Sequence, residues 1–123
     1  MQSKITPIIC AQTFEEIPIN IKNYDPTNYF VMYEPFSAIS TQGNYHPESP
    51  DTVTTTLKDW QNKLPNEVRF LYGGSVSPEN ISSFQSLLLS NSLTHLSGFV
   101  VGHASLDAKS FSEIITLLCG LPN

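Results

Sequence analysis

Tyr29-Phe30-Val31-Met32-Tyr33-Glu34-Pro35-Phe36-Ser37-Ala38-Ile39-Ser40-Thr41 is the stretch that decides the fold. Its first five residues have the β-branched and aromatic content of a buried strand. An acid and then a proline follow at once. Proline fixes its own φ and pushes the residue before it toward an extended conformation. Glu34 is therefore held stiffly at a strand exit, with a loop behind it. A carboxylate in that place sits where a barrel or an open sheet carries its chemistry. Taken alone, Glu34 also reads as a solvated residue at an ordinary strand terminus.

Outward from this stretch, strands and helices alternate. Ile5–Cys10 is a short strand that Pro7 confines to an edge or to a start near Pro7. Pro18 and the run Asn23-Tyr24-Asp25-Pro26 keep the connection to Tyr29 only weakly helical. Ser49-Pro50-Asp51 opens a helix, with a hydroxyl cap, proline at the first position and an acid in the first turn. Val53, Leu57, Trp60 and Leu64 form its apolar face, and Pro65-Asn66 ends it. Val68–Tyr72 is a third strand. Ser77-Pro78-Glu79-Asn80 repeats the helix-opening signature, and Ile81, Phe84, Leu87 and Leu88 follow at helical spacing. Gly98–Val101 is a fourth strand. Phe111, Ile114, Ile115 and Leu118 mark a last helix that Gly120 and Pro122 stop.

Strands alternating with amphipathic helices imply an α/β fold with a parallel sheet and right-handed crossovers. A free-standing doubly wound sheet and a four-unit slice of a (β/α)8 barrel give the same string of elements. Periodicity does not separate them.

The 123 residues suit one domain over residues 1–123. The net charge of −5 comes without a basic stripe, which argues against nucleic acid as a partner. A small phosphorylated ligand stays possible, because backbone N–H groups can hold an anion without Lys or Arg. Cys10 and Cys119 have neither metal-ligand spacing nor a disulfide framework. No signal segment or membrane-length apolar run is present, so no membrane partner is expected and the cytoplasm is the default. No metal or organic cofactor is implied.

Two glycine turns follow strands at the same end of the sheet as Glu34. They are Gly73-Gly74-Ser75 and Gly102-His103-Ala104-Ser105. Glycine lets backbone approach an anion, successive N–H groups make a nest for it, and a helical turn starting at Ala104 or Ser105 would add its positive end. Tight βα turns use the same glycines for purely structural reasons, so each turn alone is only a pointer.

Tyr33-Glu34-Pro35, Ala38-Ile39, Tyr72-Gly73-Gly74-Ser75-Val76, Asn80 and Gly98-Phe99-Val100-Val101-Gly102-x-Ala104-Ser105-Leu106 together resemble the triosephosphate isomerase family, in that family's order and at similar spacing. The resemblance runs from about residue 5 to residue 118. It implies a parallel (β/α)4 half-barrel, the C-terminal half (fifth to eighth units) of a (β/α)8 barrel. It implies an isomerase that interconverts dihydroxyacetone phosphate and glyceraldehyde 3-phosphate in glycolysis and gluconeogenesis. Glu34 matches the catalytic base. Ser40, Ser75, Gly102 and His103 match positions whose N–H groups bind the substrate phosphate, with the Ser75 hydroxyl available. Pro35 to Gln42, including Ala38 and Ile39, match the lid. Tyr72, Gly73, Gly74 and Ser75 match the turn that latches it. Cys10 matches a cysteine near the base, and a buried small hydrophobe is its plainer reading.

The departures are specific. Ala11-Gln12-Thr13 stands where the family usually has Ile-Gly-Glu. Ser37 replaces the tryptophan of the lid hinge. Ser40 and Gln42 replace glycines, and His103 replaces a glycine at the phosphate, where its N–H remains but its Cβ crowds the anion and an imidazolium would help. The family's catalytic lysine and electrophilic histidine lie on strands with no counterpart here. Lys4, His46 and His95 do not match them. Loss of the donors to the substrate oxyanion is a term of a few kcal/mol of barrier, on the order of 3. Met1, close before the first strand, suits a split or truncated gene. Open edges at the first and last strands imply a homo-oligomer or a separate N-terminal half-barrel as partner. A non-catalytic phosphate-binding or dimerising remnant is the alternative reading.

Overall fold

The computed structural model describes residues 4–41, 44–90, 93 and 95–120. Within them lie β1 (Ile8–Ala11), β2 (Phe30–Tyr33), β3 (Arg69–Tyr72) and β4 (Leu96–Phe99), with α1 (Pro50–Lys63), α2 (Ile81–Leu88) and α3 (Ala108–Cys119). The link from β1 to β2 holds only three 3₁₀ turns, Phe14–Glu16, Ile19–Asn23 and Pro26–Asn28. Pro18 and Pro26 stop the first two from lengthening, and Pro26 opens the third.

All strand pairs are parallel, and the order is β1-β2-β3-β4. A doubly wound sheet reverses its strand order at a switch point. Here each new strand adds on the same side. With crossovers of one hand, the helices then fall on one face of the sheet. This is the arrangement of half a barrel, and it decides between the two folds that periodicity left open.

Alternation along β1 and β3 fits this one-sided cover, while in β2 Met32 is buried along with Val31 and Tyr33. Val31, Tyr33, Phe70 and Tyr72 are buried in the core with Val53, Leu57 and Trp60 of α1 and Ile81 and Phe84 of α2. Tyr33 packs edge-on against Trp60 with ring centroids 5.2 Å apart, and Tyr72 lies 4.9 Å from Phe84. Ile8 and Cys10, the alternate residues of β1, are exposed. Arg69 stacks its guanidinium 4.0 Å over the Phe30 ring. On α3 only Ile114 is fully buried, while Phe111 and Ile115 keep 39% and 46% of their surface exposed. Apolar surface is thus left open at both ends of the half-barrel, as the sequence leads one to expect.

β1 spans Ile8–Ala11 instead of Ile5–Cys10, and β2 and β3 each begin one residue later than expected, at Phe30 and Arg69. Three further boundaries differ. β4 spans Leu96–Phe99 instead of Gly98–Val101, because pairing with β3 already begins where Phe70 N–H donates to the His95 carbonyl at 2.8 Å. The register then slips between Phe70 and Leu71, so Leu96 and Gly98 are the successive partners. α2 begins at Ile81 and not at Pro78. Asn80 explains this: its Oδ1 accepts from Ser77 N–H at 2.9 Å and its Nδ2 donates to the Ser75 carbonyl at 2.6 Å, which makes a turn that competes with helix. The turn after Gly102 is 3₁₀ from His103 to Leu106, one residue earlier than expected. The expected α1 cap is present, with Ser49 Oγ accepting from Thr52 N–H at 3.1 Å.

Candidate active site

At the C-terminal ends of the strands lies a cleft of about 320 Å³ lined by Glu34, Ile39, Ser40, Tyr45, Gly73, Ser75, Val76, Gly102 and His103. Three separate segments meet there, and parallel strands are the reason. Each strand ends at the same edge, so the loops after β2, β3 and β4 converge.

Glu34 follows β2 directly and is partly buried. Its N–H donates to the Ala11 carbonyl at 3.0 Å, which fixes its backbone to β1. Its Oε2 accepts from the Cys10 thiol at 3.2 Å. The Cys10 thiol is pushed up to about 11, first by desolvation, then by this hydrogen bond and by the negative charges of Glu34 and Glu16. The thiol therefore keeps its proton and presents it to the carboxylate.

Behind the cleft, three hydroxyls fasten the loop that follows Glu34. Ser75 Oγ donates to the Ala38 carbonyl at 2.5 Å and accepts from His46 N–H at 3.1 Å. Tyr72 Oη accepts from Glu48 N–H at 3.1 Å. Ser37 Oγ donates to Glu48 Oε1 at 2.7 Å. Both arms of the loop are thereby tied to the turn after β3 and to each other. Desolvation pushes the Tyr72 hydroxyl up to about 12, the Glu48 N–H opposes this and the Glu48 charge adds to it, so the phenol stays neutral. Ser75 takes φ 52, the one positive φ on a non-glycine among the described residues. That left-handed turn is what aims its hydroxyl at Ala38 and His46 together. The Ser75 proton is already committed to a carbonyl, so its hydroxyl is not the free donor that the sequence suggested.

Other expected site residues divide by place. Gly73, Ser40, Ile39, Gly102 and His103 line the cleft with Glu34 and Ser75. Pro35, Ala38, Tyr72 and Gly74 lie behind its wall and are buried. Gly74 is sterically required: a Cβ there would stand 2.4 Å from Tyr72 Oη and 2.8 Å from Ala38 Cβ. Gln42 lies outside the described residues. No acceptor among the described residues is bonded to the backbone N–H of Ser40, Ser75, Gly102 or His103. Buried backbone donors seldom go without partners, and of these four Ser75 is buried, Ser40 partly buried, and Gly102 and His103 exposed. Free N–H groups of this kind are the donors from which anion nests are built.

Sequence reasoning missed Tyr45 and Val76, which line the cleft, and Glu48, which joins two of the loop ties. Val76 sits inside a quoted motif and so was within reach. Tyr45 stands alone in a turn-rich stretch with no periodicity to single it out. Among the described residues no three His, Cys, Asp or Glu come together as metal ligands, and no helix is long and apolar enough to cross a membrane.

A family model described as Triosephosphate isomerase matches residues 1–118 of the chain. The triosephosphate isomerase of Prochlorococcus marinus (strain MIT 9301) is 32% identical over 128 residues, covering 91% of this chain and 49% of that protein. That of Wolbachia pipientis wMel is 35% identical over 127 residues, covering 94% and 48%. That of Caldanaerobacter subterraneus subsp. tengcongensis is 31% identical over 119 residues, covering 93% and 45%. The chain spans about half the length of these curated relatives.

Proposed function

The chain belongs to the triosephosphate isomerase family, and from that premise we propose that it supplies the base and the phosphate cradle of a triose-phosphate isomerase. The observation that carries the proposal is the cleft itself. One strand-end carboxylate, Glu34, shares about 320 Å³ with four residues whose N–H groups have no partner among the described residues. Glu34 would take the proton from a carbon beside the substrate carbonyl. The C–H electron pair becomes the C=C of an enediolate while the carbonyl π pair moves to oxygen. The same carboxyl then returns the proton to the neighbouring carbon, where the C=C pair forms the new C–H bond; the first carbon's hydroxyl closes to the new C=O and its proton passes to the enediolate oxygen, so atoms and charge balance across the isomerisation. The N–H groups of Ser40, Ser75, Gly102 and His103 would hold the phosphate, and the loop from Pro35 to Glu48 would cover it.

Among the described residues no lysine lines the cleft, and its one histidine, His103, would serve the phosphate end. Donors to the enediolate oxygen would come from four further β/α units, continuous with this chain or separate from it. These would also cover the apolar surface left open on β1 and α3.

The test pairs this chain with the N-terminal half of the Prochlorococcus relative and follows isomerisation of glyceraldehyde 3-phosphate. Turnover that falls by about a thousandfold or more in Glu34→Gln supports the base assignment. Turnover retained in that variant refutes it. A second reading, a phosphate-binding half-barrel without turnover, draws on the loop ties. Ser37 to Glu48 fastens a segment that a lid must release. Phosphate-ligand binding with no turnover in the paired protein would select it.

A further inference from the structure

Among the described residues, the lining of the cleft holds one carboxyl group, Glu34, and neither Lys nor Arg. A dianionic ligand placed there would face a carboxylate with only neutral N–H groups to hold it, in a chain of net charge −5. The one side chain of the lining that can become a cation is His103. His103 is exposed, and among the described residues its imidazole has one ring neighbour. It meets the Tyr45 ring in a T-shaped contact, with centroids 6.2 Å apart and planes at 69°. Tyr45 in turn packs against the hydrophobic core. The core thus braces the phenol, and the phenol braces the imidazole. Beside it, Gly102 leaves open space: a Cβ built there meets nothing within 4 Å. An anion can therefore lie against the backbone of Gly102 with the imidazole as its wall.

We infer that His103 is a direct ligand of the anionic group, an added donor whose imidazolium form tightens the cleft for dianions. The inference rests on the reading of the cleft as a phosphate cradle and adds a binding residue to it. An imidazolium offers two donors and a charge, whereas a glycine at this position would offer only its N–H. Binding should then strengthen as pH falls into the range where histidine gains its proton. The titratable and charged groups around His103 are few. Glu34 lies in the same lining, Tyr45 is against the ring, and His46 follows Tyr45 in the loop. Asp107 ends the turn of His103 itself, but its Oδ1 is engaged as the cap of α3, accepting from Ser110 N–H at 2.7 Å. His46 is the other histidine of this neighbourhood and serves as the control.

Sulfate is the right probe, because it stays divalent over that range, whereas a phosphate ester changes charge near pH 6. Sulfate affinity of the full chain would be measured by titration at about pH 8 and about pH 5.5, alongside His103→Gln and His46→Gln. The expected result is an affinity about fivefold higher at the lower pH in the wild type, unchanged in His46→Gln and lost in His103→Gln. The magnitude is modest because His103 is exposed to water, where ion pairing is screened. A second readout does not depend on the variants folding: the imidazole proton resonances of His103 should move on sulfate addition at the lower pH, and those of His95 should not. A pH effect that survives His103→Gln, or no pH effect with binding intact, overturns the inference and leaves the anion cradle standing. No sulfate binding at either pH overturns both.

Discussion

Gly74→Ala is the substitution whose effect follows most directly from the packing. The new Cβ would stand 2.4 Å from Tyr72 Oη and 2.8 Å from both Tyr72 Cζ and Ala38 Cβ. Neither neighbour can retreat cheaply. Tyr72 and Ala38 are both fully buried, and Tyr72 is held from the other side by Phe84 at 4.9 Å. If the Tyr72 ring moves, its hydroxyl leaves the Glu48 N–H. If Ala38 moves, its carbonyl leaves Ser75. Overpacking of this kind costs about 1–3 kcal/mol, and a lost hydrogen bond adds about 1. The expected loss is therefore about 2–4 kcal/mol. Urea unfolding followed by the fluorescence of Trp60, the one tryptophan, reports it from within the core. Gly98→Ala is the matched control, since its Cβ meets only Leu71 Cδ2 at an ordinary 3.8 Å. A Gly74→Ala protein within about 0.5 kcal/mol of wild type would refute the steric reasoning.

Three more outcomes follow from the same contacts. Ser75→Ala leaves the Ala38 carbonyl and the His46 N–H without their partner, and should lower unfolding free energy by about 1–3 kcal/mol. In a Cys119→Ser background, Cys10 should alkylate slowly at neutral pH, because its thiol is pushed up to about 11. Glu34→Gln removes the anion that helps to hold it there, so alkylation near pH 8 should speed up; an unchanged rate would argue against the contact. Asp107 is held below the usual aspartate value, first by the Ser110 N–H and then by the Ser110 hydroxyl. A depressed folded pKa adds stability above the unfolded value and loses it as pH falls through the folded one. Asp107→Ala should therefore destabilise at neutral pH, and its difference from wild type should shrink as pH drops below about 4. A difference that persists in acid would point to a cause other than the charged cap.

The alternation of strands and helices was legible because each buried residue type repeats at the right period. Phe70 and Tyr72 alternate in β3, and Val53, Leu57 and Trp60 recur in α1. The single-sided cover was not legible from period alone. It follows from strand order, which depends on contacts far apart in sequence. Local competition hid two boundaries. Asn80 spends its amide on the turn before α2, and the register slip after Phe70 moves the start of β4. In the site, Glu34 and both glycine turns could be read, since each follows a strand at a fixed offset. The Ser37–Glu48 pair could not, because eleven positions separate its members and no motif links them. Tyr45 was invisible for the same reason, and the left-handed φ of Ser75 left no trace in its residue type.

Proton transfer by Glu34 is the central claim, and solvent deuterium reads it without relying on net turnover. The chain, completed by the N-terminal half of the Prochlorococcus relative, would be held with dihydroxyacetone phosphate in deuterium oxide and followed by proton NMR. A base at Glu34 predicts loss of one carbon-bound proton signal beside the carbonyl, slowed about a thousandfold or more in Glu34→Gln. Exchange at the same rate in both proteins would contradict it.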